Sequence, residues 1–168
     1  NRCRRQRQMC IRDSFNGVAT IVEKLLNIIN PKYAFFGQKD LQQLSIIKQL
    51  VKDKKINTKI IGCKTIREKN GLAKSSRNKL LSKSDFELSK SIYKQLLFCK
   101  RNFEKIPFKE IRSHVLSNLK SDGFNIDYFE FIDLKTFTIQ KEKIKGIKYA
   151  ACVAVIISGV RLIDNIIL

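Results

Sequence analysis

Two short stretches hold residue types that can do chemistry together. The first is Phe36-Gly37-Gln38-Lys39-Asp40-Leu41-Gln42-Gln43. Gly37 lets a ligand approach the backbone, and Lys39 offers a point charge to phosphate at a helix start. Asp40 can accept from ribose hydroxyls or cap the helix, and Gln43 follows Lys39 by one turn, facing the same pocket. The second is Lys74-Ser75-Ser76-Arg77-Asn78, where two hydroxyls, an ammonium and a forked guanidinium suit triphosphate oxygens. Each stretch has a plain alternative: a turn with an Asp cap and a solvated lysine, and a basic loop on a basic protein. Taken singly, the plain alternatives are at least as good; a phosphate-type turn followed by a Ser/Arg loop is not random decoration.

Other chemistries find little footing. The cysteines, Cys3, Cys10, Cys63, Cys99 and Cys152, are odd in number and widely spaced, and His114 is the one histidine. A tetrahedral zinc site or a disulfide framework is not expected. Cys63, Cys99 and Cys152 read as small core residues. His114 falls mid-helix beside an apolar stripe with no nucleophile to serve. Asp127, Glu130 and Asp133 lie on a strand and are expected at the surface or in loops.

The elements that must position the two stretches follow from apolar spacing. Val18, Ile21, Val22, Leu25, Leu26 and Ile29 form one helical stripe, stopped by Asn30-Pro31. Tyr33-Ala34-Phe35-Phe36 has strand length and ends at Gly37. A helix opens after Asp40 with Leu44, Ile47 and Val51 on one face, and Lys59-Ile60-Ile61-Gly62-Cys63 is another strand. That rhythm is a parallel α/β sheet with helical crossovers, where ligands bind beyond the carboxyl ends of the strands.

Residues 64–82 form a long polar, basic loop turning at Asn70-Gly71. Ser84-Asp85-Phe86-Glu87 reads as a capping box for one helix carrying Phe86, Ile92, Leu96 and Phe103. Phe108, Ile111, Val115 and Leu119 mark a further helix closed by Asp122-Gly123. Strands are expected at 125–133, 136–139, 149–157 and 160–165, so a smaller α+β unit follows the parallel one.

Charge narrows the class without deciding it. The 168 residues carry 34 Lys+Arg against 15 Asp+Glu, a net charge of +19. Residues 1–14 hold five arginines, the one Met and no lysine, whereas the rest is dense in Lys, Ile and Asn. The segment Met9-Cys10-Ile11-Arg12-Asp13-Ser14 resembles translated sequencing-adaptor text, so residues 1–14 are expected to be a non-native leader. Its competing reading is a basic arm of a nucleic-acid-binding module, which leaves the two candidate stretches unexplained. The remaining lysines mostly alternate with apolar residues and read as a solvated surface. At 43% hydrophobic residues the chain is not wholly disordered. Its longest apolar run, 149–157, is strand-length rather than membrane-length, and no signal-peptide pattern appears. A cytoplasmic protein with no membrane or nucleic-acid partner is expected.

The sequence resembles the pantoate–β-alanine ligases at several motifs taken in order. They are Gly17-Val18-Ala19-Thr20-Ile21-Val22-Glu23-Lys24-Leu25, the Phe36-Gly37-Gln38-Lys39-Asp40 turn with Gln42-Gln43, and Thr65-Ile66-Arg67-Glu68. Gly71-Leu72-Ala73, Ser75-Ser76-Arg77-Asn78 and Arg161-Leu162-Ile163-Asp164-Asn165 complete the set. The resemblance covers 15–168 and implies an enzyme that uses ATP and Mg²⁺. It adenylates pantoate, releases pyrophosphate, and then joins the pantoyl group to β-alanine with loss of AMP. The implied fold is a Rossmann-like nucleotidyltransferase domain, here its later part at 15–65, followed by a small α+β lid domain at 66–168. A homodimer is implied for the full-length enzyme. The Ser-Ser-Arg loop looks like the counterpart of the KMSKS loop of class I aminoacyl-tRNA synthetases.

Carried over by resemblance, Lys39, Ser75, Ser76 and Arg77 are catalytic and hold the ATP phosphates. Gly37 and Asp40 meet the ribose, the backbone at Ile66 meets the adenine edge, and Gln43 binds pantoate. Gln38 stands where the family has Glu, Lys74 where it has Met, Lys64 where it has Pro, and Ser14 where it has His. The family's first strand, its HIGH-type histidine motif and a second pantoate-binding glutamine match nothing in this chain. An incomplete, inactive fragment is therefore expected.

Overall fold

The computed structural model describes residues 17–168. The leader reading for 1–14 lies outside the described residues. The chain divides into two compact units between Lys64 and Thr65.

The first unit holds helix α1 (17–29), strand β1 (Tyr33–Gly37), helix α2 (Leu41–Asp53) and strand β2 (Lys59–Cys63). Asn30 takes a left-handed backbone at φ 45° and Pro31 cannot continue the helix, so α1 stops there. β1 and β2 pair in parallel from Tyr33 beside Lys59 to Gly37 beside Cys63. Thr58 fastens their start by donating its hydroxyl to the Pro31 carbonyl at 2.8 Å. α2 crosses between them and buries Leu41, Leu44 and Ile47. Gly62 is where that crossover packs: a Cβ there would stand 2.8 Å from Leu44 Cδ2. Helix, strand, helix, parallel strand is the expected α/β rhythm.

The second unit places helices α3 (Lys83–Leu88), α4 (Lys90–Asn102) and α5 (Phe108–Ser121) with an antiparallel sheet. Its strands are β3 (Asn125–Asp133), β4 (Ile139–Gln140), β5 (Tyr149–Ile157) and β6 (Val160–Ile167), in the order β4-β3-β5-β6. Ile92, Leu96, Ile111, Val115 and Leu119 meet Phe129, Phe131, Val153 and Val155 in one core. Each such side chain contributes about 1.5–3 kcal/mol by leaving water. β5 is buried along nearly its whole length because it is central. Ala151, Val153 and Val155 join that core, while the alternate positions Ala150, Cys152 and Ala154 are small. The register sets Ala154 between Tyr128 and Ile163, and Cys152 between Glu130 and Asn165.

Several expectations need correction. The cap of the segment after the loop is Ser82, not Ser84: its hydroxyl accepts from the Asp85 N–H at 3.1 Å and donates to the Asp85 carboxylate at 2.8 Å. The helix expected as one piece breaks at Ser89, whose hydroxyl bonds the Asp85 carbonyl at 2.7 Å and competes with the helical ladder. The strand expected at 136–139 is only Ile139–Gln140, because Thr136 is drawn into a turn by Asp133. Asp133 is buried rather than superficial, whereas Asp127 is exposed and Glu130 half-buried, paired with Arg161 and Arg112. Cys99 and Cys152 are buried, with burial pushing both thiols up to about 12, but Cys63 is exposed. β6 runs to Ile167, beyond the expected end.

Candidate active site

The expected site residues fall into two groups, one in each unit. In the first unit, β1 ends at Gly37 and passes through a 3-10 turn at Gln38–Asp40 into α2. This is the carboxyl end of a parallel strand meeting a helix N-terminus, with main-chain donors favouring an anion. Gly37 has φ −68°, a conformation any residue adopts, and nothing lies within 4 Å of where a Cβ would be. Neither backbone nor packing among the described residues requires glycine there. Asp40 is exposed and makes no side-chain cap bond to α2, so the plain alternative of an Asp cap is not what the structure has. Lys39 is half-buried in the turn, and Gln43 is half-buried in the first turn of α2.

In the second unit, residues 66–74 form a tight hairpin. Arg67 bridges Ala73, Glu68 N–H donates to Leu72, and Lys74 N–H donates to the Ile66 carbonyl at 2.9 Å. Gly71 turns it at φ +94°. Asn70 locks the turn by accepting from Leu72 N–H at 3.0 Å and donating to the Phe86 carbonyl at 2.8 Å. The chain then enters a 3-10 segment, Ser76–Leu80, capped by Ser75, whose hydroxyl accepts from the Arg77 N–H at 3.3 Å. Ser76 and Arg77 are exposed, and Ser75 is half-buried. Asn78 faces inward and donates to the Ala73 carbonyl at 3.1 Å. Ile66 is 70% exposed. Lys74 lies 4.0 Å from Glu68 at the surface, a separation and exposure that make the pair weak.

The structure therefore groups Gly37, Lys39, Asp40 and Gln43 at one strand-to-helix junction, and Ile66, Ser75, Ser76 and Arg77 along one loop. Reading from sequence assigned no role to Arg67, Asn70 or Asp164. Arg67 and Asp164 stand 97 positions apart, and no local signal pairs them. Asn70-Gly71 did carry a turn signal, from which the asparagine's bond to Phe86 does not follow.

The chain thus joins a parallel α/β unit, with a strand-to-helix junction at 37–40, to an α+β unit presenting a Ser-Ser-Arg loop. The comparisons with known proteins make the class specific. Residues 4–167 match the profile of the family described as pantoate-beta-alanine ligase. The chain belongs to that family. Pantothenate synthetase of Flavobacterium psychrophilum is 44% identical over 153 residues, covering 90% of this chain and 54% of that protein. Pantothenate synthetase of Caldicellulosiruptor bescii is 42% identical over 158 residues, covering 91% and 55%. The crystal structure of pantothenate synthetase from Thermus thermophilus superposes with a TM-score of 0.81 at 31% identity, over 89% of this chain and 54% of that one. The pantoate-beta-alanine ligase of Francisella tularensis, a structure complexed with beta-gamma ATP and beta-alanine, gives a TM-score of 0.66 at 37% identity, covering 91% and 50%. The chain spans about half the length of the curated relatives it matches.

Proposed function

We propose that this chain is the part of a pantoate–β-alanine ligase that holds ATP and pantoate at one junction and the triphosphate-gripping loop on a lid. The observation that carries the reading is the 37–40 turn. Its glycine is required by no contact among the described residues, and the Asp40 carboxylate is not committed to capping α2. Residues 15–65 act as part of the Rossmann-like ATP and pantoate domain, and residues 66–168 as the lid.

In the proposed reaction a pantoate carboxylate oxygen attacks the α-phosphorus of ATP. The bond to the β-phosphate oxygen breaks, giving pantoyl-adenylate and pyrophosphate. The β-alanine amine then attacks the acyl carbon, forming the amide, losing a proton and releasing AMP. Lys39 at the helix start stabilises charge as the phosphorus is attacked. The Ser75 and Ser76 hydroxyls and the Arg77 fork hold the β- and γ-phosphates and the departing pyrophosphate. Gly37 and Asp40 accommodate the ribose, the main chain at Ile66 meets the adenine, and Gln43 orients pantoate.

Among the described residues no three His, Cys, Asp or Glu side chains cluster as a metal cage. Mg²⁺ is proposed to arrive with the triphosphate, where it would neutralise phosphate charge. No helix of the described residues is long and apolar enough to cross a membrane; a cytoplasmic location is proposed from the resemblance alone. A homodimer is proposed for the full-length protein.

The test joins this chain to the part of the Flavobacterium enzyme that it does not match and follows pyrophosphate release. Pantoate-dependent release, absent with amino acids, is expected from the joined protein, and little or none from the 168-residue chain. A folded joined protein that releases pyrophosphate equally with or without pantoate would contradict the reading.

A further inference from the structure

We infer that Arg67 and Asp164 are positioning residues that seat the Ser75-Ser76-Arg77 loop on strand β6. Arg67 donates two parallel hydrogen bonds to Asp164, Nη1 to Oδ2 at 2.6 Å and Nη2 to Oδ1 at 3.0 Å. The Asp164 side chain is 1% exposed and that of Arg67 18%, so the pair is screened from water. The same guanidinium lies over the Tyr93 ring, 3.6 Å from its centroid, and donates to the Gly71 carbonyl at 3.1 Å. One side chain thus ties together the hairpin turn, helix α4 and the C-terminal strand.

This anchor reaches the loop through the main chain of Ala73 and the side chain of Asn78. Arg67 bridges Ala73, the Ala73 carbonyl accepts from Asn78, and the Asn78 N–H bonds the Ser75 carbonyl at 3.1 Å. At its far end the loop returns to the same strand, where Arg77 donates to the Arg161 carbonyl at 3.3 Å. Both ends of the 67–77 segment are therefore fixed to β6, the first by paired bonds to a carboxylate and the second by a single longer bond to an uncharged carbonyl. A triphosphate can draw Arg77 off a carbonyl while the forked pair at Arg67 holds the rest of the loop in register. Lysine cannot replace that fork, because it lacks both the second donor and the planar face that stacks on Tyr93.

The inference rests on the reading of Ser75, Ser76 and Arg77 as triphosphate ligands, and its test separates the two. Arg67→Lys and Asp164→Asn are compared in the full chain with Val115→Ala, a core change on α5. Temperatures are chosen so that all three lie equally far below their unfolding midpoints. Tryptic cleavage after Arg77 is timed by mass spectrometry, and the Ser76 and Arg77 amide resonances are recorded. Cleavage at least about tenfold faster than in Val115→Ala, with displaced Ser76 and Arg77 amides, is expected from losing charge-assisted bonds. Should Asp164→Asn not fold, Arg67→Lys alone carries the comparison. Cleavage no faster than in Val115→Ala would overturn the inference and leave the pair a general staple. Faster cleavage in a chain whose Arg77 is not protected by MgATP would uphold the positioning role and count against the ligase reading instead.

Discussion

The Arg77 guanidinium donates to the main-chain carbonyl of Arg161 at 3.3 Å, although Arg77 is itself exposed. Arg161 is itself held by Asp127 at 2.9 Å, so the resting place of Arg77 is fixed from the opposite strand. It is a single bond, longer than the two that Arg67 makes to Asp164. It keeps a cation ordered beside the loop hydroxyls without spending it on a carboxylate, the condition in which a phosphate can take it over.

Two glycines separate fold from function. Gly71 has φ +94°, and a Cβ there would stand 2.9 Å from Tyr93 Cδ1. Gly71→Ala should cost about 2 kcal/mol or more from left-handed strain and overlap. Gly37→Ala meets neither obstacle and should leave stability within about 0.5 kcal/mol. It should nonetheless weaken ATP binding, because the methyl occupies the ligand's approach. Urea unfolding and an ATP titration of both variants check this; a large stability loss at Gly37 would remove the argument for that turn.

The cap position is open to a direct comparison. Ser82→Ala should destabilise by about 0.5–2 kcal/mol, since it removes the acceptor for the Asp85 N–H. Ser84→Ala should lie within about 0.5 kcal/mol of the unsubstituted chain. Equal losses in denaturant unfolding would show that the helix starts where the sequence pattern alone would put it.

That example shows where reading from sequence stops. Ser82-x-x-Asp85 and Ser84-x-x-Glu87 are both capping patterns, and the loop that delivers the chain decides between them. β1, β2, β3 and β5 were legible because turn residues punctuate continuous apolar runs. β4 was not, because the Asp133 side chain reshapes the turn that precedes it. Cys63 looked like a core residue from its apolar neighbours, yet it ends a two-stranded ladder and is exposed. The candidate site was legible as two motifs and by resemblance. The Arg67–Asp164 pair was not, since only the fold brings the hairpin to β6.

Asp133 gives a pH signature. Its carboxylate accepts from the Lys135 N–H at 2.7 Å and the Thr136 hydroxyl at 2.8 Å. The Lys135 bond foremost, and then that of Thr136, holds its pKa below the usual carboxylate value. With the folded value below the unfolded one, the unfolded chain binds the extra proton first. The contribution is therefore present above about pH 4 and lost as pH falls through the folded value. Asp133→Asn should flatten the acid limb of the unfolding temperature below about pH 4. Parallel acid limbs for the two proteins would contradict the assignment.

The first unit leaves apolar side chains in water. Ile21, Leu25, Ile28 and Ile29 on α1 are 61%, 50%, 79% and 66% exposed, and Phe35 on β1 is 66% exposed. Two paired strands are too few for independent stability. Amides of 17–63 should exchange well before those of the β3–β5–β6 core, and the chain should self-associate at micromolar concentration. Uniformly late exchange across 17–63 in a monomeric chain would refute this.

The central proposal is that the Ser75-Ser76-Arg77 loop takes the ATP triphosphate. A ¹H–¹⁵N titration of the chain with MgATP tests it most directly, because every backbone amide reports separately. Saturable shifts concentrated at Ser75, Ser76 and Arg77 are expected, lost in Arg77→Ala. Shifts scattered over the surface lysines, fading with salt and indifferent to Arg77, would show only a basic protein attracting an anion and would contradict it.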